Sequence, residues 1–322
     1  MPRIYVIHEN DAWVEPLRAA FAELDLPYVE WFVADGTLDL GSVPPEGVFY
    51  NRMSASSHTR GHRYAAELTG GILAWLEAHG RRVINNGRAL ALEISKIAQY
   101  AELARRGIRV PYTIAAVGRD SLLAAAHRMP GRFITKHNRA GKGLGVHLFE
   151  SVEALQRYVD GGAFEDSVDG VTLLQQYIEA PAPFITRVEF VGGKFLYAVR
   201  VDTSQGFELC PADVCQVGDA FCPVGETTSP AAPRFEIIAG FRHPVVARYE
   251  RFLRDNGIGI AGIEFITGRD GEIYTYDVNT NTNYNADAER EAGVFGMRAI
   301  ASYLGGELRA LGNDIAREPV AA

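Results

Sequence analysis

The stretch Phe133-Ile134-Thr135-Lys136-His137-Asn138-Arg139-Ala140-Gly141-Lys142-Gly143-Leu144-Gly145-Val146 decides how the chain is read. It opens on an aromatic and β-branched run, passes through three glycines at alternate positions, and leaves through a second apolar run, residues 145–149. That pattern predicts strand, loop, strand. Glycines so spaced allow a ligand close to the backbone and leave N–H groups exposed. Lys136, Arg139 and Lys142 add positive charge, and the combination suits a polyphosphate. The Gly-Lys-Ser/Thr of a Walker loop is absent, and no helix follows at once as in a dinucleotide turn. On these residues alone a plain hairpin turn stays open. Lys136 argues against it, because a lysine on the entering strand is awkward unless it faces a ligand or an edge.

Upstream, residues 4–7, 27–33, 47–50 and 83–85 read as strands, with helical spacing over 13–24 and 59–79. Strands alternating with helices predict a small doubly wound domain, its parallel sheet covered on both faces. A helix over 93–106 is stopped by Gly107. Downstream, Ser151 is placed to cap a helix running to about 159, and 172–178 reads as a strand. Pro181 and Pro183 then break the chain. Residues 185–191 and 194–201 form a predicted hairpin around Gly192-Gly193. A long loop over 202–235, a helix over 244–256, a hairpin of 261–267 with 272–279 and a last helix over 294–311 complete the reading.

The 322 residues, 47% hydrophobic and 22% charged, fit a globular chain of about two domains. A net charge of −8 disfavours nucleic acid and anionic membrane as partners. The apolar runs fall short of the ~18 residues of a membrane span. The first residues lack a signal-peptide pattern. Three cysteines, Cys210, Cys215 and Cys222, are too few for a disulfide framework and lack the usual zinc spacing. A reduced, cytoplasmic protein is expected.

Two further patterns carry chemistry. A turn centred on Asp270-Gly271 sets Glu264 directly opposite Asp277 and leaves Asn279 on the same face. Two carboxylates that close repel unless one is protonated or a cation lies between them. With an amide oxygen beside them they suit Mg²⁺. The second pattern follows the third predicted strand. Residues 51–63 hold Arg52, Arg60 and Arg63 with His58 and His62 and no acid. At the ligand-binding end of an open sheet this predicts a carboxylate-binding island using Arg52 and Arg60. The i, i+4 histidines lack a third metal ligand.

The order of the pieces is what identifies them. Ser95-Lys96 comes first, then Gly107-Ile108-Arg109-Val110-Pro111 and the glycine loop. Leu174-Gln175-Gln176-Tyr177-Ile178 follows, then Thr186-Arg187-Val188 with Arg200, then Glu264 and Asp277-Val278-Asn279. Over roughly residues 83–285 this resembles the ATP-grasp superfamily, and most of all its RimK-like amino-acid ligases, the α-L-glutamate ligases. The resemblance implies an α/β (α+β) architecture of two α+β subdomains, 93–178 and 179–322, holding ATP between them. A small Rossmann-like domain, 1–92, precedes them.

It implies that Lys96 and Lys136 reach the ATP phosphates. Gly141, Lys142, Gly143 and Gly145 would cover them, and Gln175, Gln176, Tyr177 and Ile178 would hold adenine. Gln176 replaces the family's usual Glu, and its amide oxygen can still accept from the adenine amino group. Ile185-Thr186-Arg187 stands where many relatives have Asp-Ile-Arg, which leaves the ribose contact to Glu179. Arg187 and Arg200 would face the γ-phosphate and the acyl phosphate. Glu264, Asp277 and Asn279 match the metal ligands for two Mg²⁺, with Mn²⁺ as an alternative ion, and Asn281 and Asn283 continue toward phosphate or substrate. The implied activity is an ATP-dependent carboxylate–amine ligase working through an acyl phosphate on an amino acid such as glutamate. Its partners would be a small carboxylate and an amine, or a peptide or protein tail, with a homo-oligomer left open. The alternatives are an ATP-grasp small-molecule kinase and a nucleotide-binding regulator without turnover.

Overall fold

The computed structural model describes residues 1–141, 143, 145–162, 164–204 and 234–317. Lys142, the three cysteines and most of the long loop lie outside them.

The first sheet joins β1 (Arg3–His8), β2 (Tyr28–Phe32), β3 (Gly47–Asn51) and β4 (Arg82–Ile84), all parallel, in the order β2-β1-β3-β4. Alternate residues of β1 are buried on opposite faces. Ile4 and Val6 join one core cluster, Tyr5 and Ile7 another, as a sheet covered on both sides requires. Helix α1 (Asp11–Glu23), capped by Asn10, covers the first face, and α2 (Ala65–Ala78) covers the second. The helix expected from residue 59 begins only at Ala65. A 3-10 turn over Ser57–Arg60 comes first, ended by Gly61 at φ +83°, a conformation open to glycine.

The helix expected over 93–106 is present over Lys96–Arg105, and a short helix that the sequence reading lacked precedes it. Asn86 caps α3 (Gly87–Glu93) and Ser95 caps α4 (Lys96–Arg105), each side chain accepting a first-turn N–H. The restart at Ser95 places Lys96, Gln99 and Tyr100 on one inward face at helical spacing.

The second sheet is antiparallel. It runs in the order β5 (Thr113–Ala116), β8 (Thr172–Gln176), β6 (Phe133–His137), β7 (His147–Phe149), with α5 (Arg119–Ala126) and α6 (Val152–Asp160) packed on it. Ser151 caps α6 as expected, whereas β5 and α5 have no counterpart in the sequence reading.

The third sheet has the order β11 (Phe235–Ile237), β10 (Lys194–Asp202), β9 (Phe184–Val191), β12 (Ile260–Thr267), β13 (Ile273–Asn279). One face packs on α7 (Val245–Asp255), through Val188, Phe190 and Ala198 against Tyr249 and Phe252. The other face, with Ile185, Tyr197 and Ile260, shares a core with β1 and with Ile300 and Leu304 of the C-terminal helix α9 (Gly296–Arg317), which follows α8 (Ala286–Ala292). The first and third sheets are therefore joined by one core. Asn85, at φ +57°, reinforces the junction. Its Nδ2 donates to the carbonyls of Ile260 and Thr280, each at 2.8 Å, and its Oδ1 accepts from the N–H groups of Gly259 and Ile260.

The hairpin of β12 and β13 closes differently from the expected two-residue turn. Gly271 N–H donates to the Gly268 carbonyl and Gly268 N–H to the Glu272 carbonyl, so the loop holds three residues and ends on Gly271 at φ +77°. Phe265 then pairs with Thr275. A bulge admits Tyr276 as an extra residue, and beyond it Glu264 pairs with Asp277. No described helix is long and apolar enough to cross a membrane.

Candidate active site

Where the three sheets approach one another lies a cavity of about 500 Å³. Lys96 and Lys136 line it, as do Gly141 and Gly143 of the glycine loop, Gln175, Gln176, Tyr177 and Ile178, Arg187, Glu264, Asp277, Asn279, Asn281 and Asn283.

Two lysines reach it from different elements. Lys96, in the first turn of α4, donates from Nζ to Asp277 Oδ1 at 2.6 Å. Lys136 shares its face of β6 with Ile134, both lining the cavity, because strand side chains alternate. Its Nζ donates to the Tyr100 hydroxyl at 3.2 Å and lies against the rings of Tyr100 and Tyr276. Burial, with the charge of Lys96 adding to it, lowers the Lys136 ammonium to about 7.

The acidic side is formed by neighbouring strands. Glu264 accepts from Arg187 Nη1 at 2.9 Å. Arg187 also donates to Glu189 and, at 2.6 Å, to Thr282 Oγ1. Gly262 makes room for this guanidinium, since a Cβ there would lie 2.5 Å from Nη2. Burial raises Glu264, with Asp277 adding to the rise and Arg187 offsetting part of it. At Asp277 burial also pushes upward, but Lys96 and Lys136 outweigh it and hold the carboxyl below its ordinary range. Asn279 completes the face: Gly262 pairs with it, two residues from the Glu264–Asp277 pair. Its buried amide nitrogen has no partner among the described residues. Two carboxylates and an asparagine side chain with an amide oxygen, together on one wall of a cavity, fit a hard divalent cation.

The glycine loop is rooted on α4. Asn138 accepts the N–H of Lys96 on its carbonyl and that of Ile97 on Oδ1, and its Nδ2 donates to Asp169 Oδ2 at 2.6 Å. Gly143 and Gly145 have φ of +77° and +71°. A Cβ on Gly145 would meet the His137 ring at 3.0 Å. Gly145 does not line the cavity, and Arg139 is bound to Glu67 at 2.7 Å rather than facing a phosphate.

Four other expected residues stand apart. Glu179 pairs with Arg132 at 3.1 Å and Arg269 at 3.4 Å, outside the cavity lining. Arg200 is exposed beside Glu236. Arg187 pairs with Val199, so strand alternation turns Arg200 to the opposite face of the sheet. Arg60 stacks on Trp13 and donates to Glu9 and Ser56. The segment free of acids in sequence is thus not an island of positive charge in space. Glu9, buried just past β1 beside β3, accepts from Arg60 and His62. Arg52 is buried and does not line the cavity.

Sequence reasoning missed Glu93, Tyr100, Gln99 and Gly262. Glu93 lines the cavity and accepts from the N–H groups of Ala55 and Thr280. Gln99 binds the backbone of Val278 through both amide atoms. The readable signal was a polar stripe at 96, 99 and 100 where a helix should turn an apolar face inward.

No protein-family model matches the sequence, and no curated protein matches it. Solved structures do. A RimK-domain ATP-grasp protein from Sphaerobacter thermophilus DSM 20745 superposes with a TM-score of 0.64 at 19% identity, over 94% of this chain and 98% of that one. The ATP-grasp ligase PsnB, in complex with a minimal precursor, gives 0.66 at 17%, over 95% and 99%. D-cycloserine synthetase DcsG gives 0.64 at 17%, also over 95% and 99%. At such identities the likeness shows the fold: this chain has the ATP-grasp fold along nearly its whole length.

Proposed function

We propose that the protein is an ATP-dependent carboxylate–amine ligase. The observation that carries this reading is the cavity wall on which Lys96 and Lys136 converge with Glu264, Asp277 and Asn279 beneath a glycine loop. In this reading a substrate carboxylate attacks the γ-phosphate of ATP, ADP leaves, and an amine displaces phosphate from the acyl phosphate. Each residue has a task set by its position. Gln175, Gln176, Tyr177 and Ile178 form the nucleobase wall. Lys136 has no carboxylate of its own among the described residues, so it is free to meet polyphosphate oxygens. Lys96 is shared between Asp277 and the phosphates. Arg187, pinned by Glu189, Glu264 and Thr282, presents a fixed positive charge where negative charge spreads in phosphoryl transfer. Glu264, Asp277 and Asn279 would hold Mg²⁺, which when bound would neutralise phosphate charge.

The same reading divides the chain into a first domain of residues 1–92 and two ATP-binding subdomains, 93–178 and 179–322. PsnB has been solved with a minimal precursor, Mg and ADP and with a precursor peptide and AMPPNP, and DcsG is a D-cycloserine synthetase. Both a peptide and an amino acid such as glutamate are therefore substrates to try. The test is ADP release from ATP and Mg²⁺ with a mixed pool of amino acids and cell extract, products read by mass spectrometry. Amide products whose formation needs both a carboxylate and an amine support the ligase. A phosphorylated product without an amide makes it a kinase, and binding without turnover makes it a regulator.

A further inference from the structure

Arg52, directly after β3, is 2% exposed. Its Nη1 donates to the Trp13 carbonyl at 2.9 Å. Its Nη2 donates to the Thr282 carbonyl at 3.0 Å and to Asn283 Oδ1 at 2.9 Å, and its Nε to Asn281 Oδ1 at 3.1 Å. All four acceptors are neutral. Among the described residues no carboxylate pairs with this buried cation, although Arg187, Arg60 and Arg139 each have one. Burying an arginine without a counter-ion is unfavourable unless something else supplies the negative charge.

The contacts show where that charge belongs. A guanidinium only donates, so it accepts nothing from an amide nitrogen and must face the amide oxygen. Both Oδ1 atoms are therefore turned toward Arg52 and both Nδ2 groups away from it. Asn281 and Asn283 line the cavity, and neither nitrogen has a partner among the described residues. Two N–H donor groups thus face the cavity with an uncompensated positive charge one layer behind. They lie two and four residues past Asn279 in the metal-binding wall. The nearby carboxylate of Glu93 is occupied by the N–H groups of Ala55 and Thr280 and by Thr280 Oγ1.

We propose that Arg52 is a positioning residue, which fixes the Asn281 and Asn283 amides so that they bind a carboxylate of the substrate. The proposal rests on the ligase reading for the neighbouring nucleotide. Arg52 never touches the substrate. It determines which atoms the two asparagines present, and it makes an anion the favoured guest.

Asn281→Asp and Asn283→Asp separate this from a structural role. Each keeps the shape and gives Arg52 an ionic partner, so the fold is kept. Each also replaces the cavity-facing donor with an oxygen. The full-length protein is saturated with Mg²⁺ and ADP, and saturation-transfer NMR measures acetate against acetamide and glutarate against glutaramide. The parent should bind the carboxylates in preference to their amides by about tenfold or more, the size expected for hydrogen bonds to a charged group. Both variants should lose that preference while melting no lower than the parent and binding Mg²⁺ and ADP as before. The proposal is overturned if the parent prefers neither carboxylate, or if the variants keep the preference. Failure of the parent to bind ADP with Mg²⁺, measured first and separately, would instead overturn the ligase reading.

Discussion

Replacing Lys136 by methionine should make the empty protein more stable near neutral pH while removing nucleotide binding. The Lys136 ammonium is buried beside Lys96, and its pKa falls from the ordinary 10.5 to about 7. That difference corresponds to about 5 kcal/mol of stability lost below pH 7, where both folded and unfolded chains carry the proton. Between pH 7 and 10.5 the unfolded chain holds more protons than the folded one, so the native state gains stability as pH rises and the penalty fades. Methionine fills a similar volume without charge. It forfeits the hydrogen bond to Tyr100, about 1 kcal/mol, but the Tyr100 hydroxyl still reaches Gln175 Oε1 at 2.7 Å. Lys136→Met should therefore gain about 4 kcal/mol at pH 6 and about nothing at pH 10. The assay is urea unfolding of both proteins with EDTA and no nucleotide across that range, followed by calorimetric titration with ATP and Mg²⁺. A variant less stable than its parent at pH 6, or a difference that does not shrink between pH 7 and 10, refutes the burial argument. ATP bound as tightly as by the parent refutes the phosphate role.

Glu264→Gln and Asp277→Asn should each abolish Mg²⁺-dependent ATP turnover, since each removes one of the two carboxylates from the proposed metal site; full activity in both would place the metal elsewhere. Arg200→Ala should leave kcat/KM for ATP within about threefold of the parent, because its side chain lies on the far face of β10; a large drop in steady-state assays would show that it reaches the site during turnover. Asn85→Ala should cost about 3 kcal/mol or more in urea unfolding, since it leaves the backbone groups of Gly259, Ile260 and Thr280 at the third sheet without their side-chain partner; a change below about 1 kcal/mol would mean that the shared apolar core alone joins the first and third sheets.

The parts legible in sequence were those fixed by neighbours along the chain. Alternation of strand and helix gave the parallel first sheet, Ser151 gave the start of α6, and Lys136 before three spaced glycines gave a lysine in a cavity. Facts decided by distant residues were out of reach. Nothing near Arg60 in sequence shows that Glu9, more than fifty residues earlier, neutralises it through two adjacent parallel strands. Nothing near Arg52 shows that residues 281–283 enclose it. Arg187 and Arg200 read as a pair because each lies on one arm of a hairpin. Their faces follow from register, which pairs Arg187 with Val199 and sends Arg200 the other way.

Register also explains why the Glu264–Asp277 pairing was legible when the turn before it was not. Reading Asp270-Gly271 as a two-residue turn puts Glu264 opposite Asp277, and so does the structure, by a different route. The three-residue loop shifts the pairing by one, so that Phe265 meets Thr275, and the bulge at Tyr276 shifts it back. Two departures of one residue each cancel at the position that matters. The bulge thus sets which side chains face each other. It leaves Tyr276 beside Lys136, returns Asp277 to the face of Glu264, and allows Asn279 to follow on that face two residues later. The irregularity restores the carboxylate pair at the cavity wall, re-aiming side chains that an unbroken ladder would leave on other faces. Without it, the shorter register would carry Asp277 away from Glu264 and break up the only donor set facing Lys96 and Lys136 on this wall among the described residues.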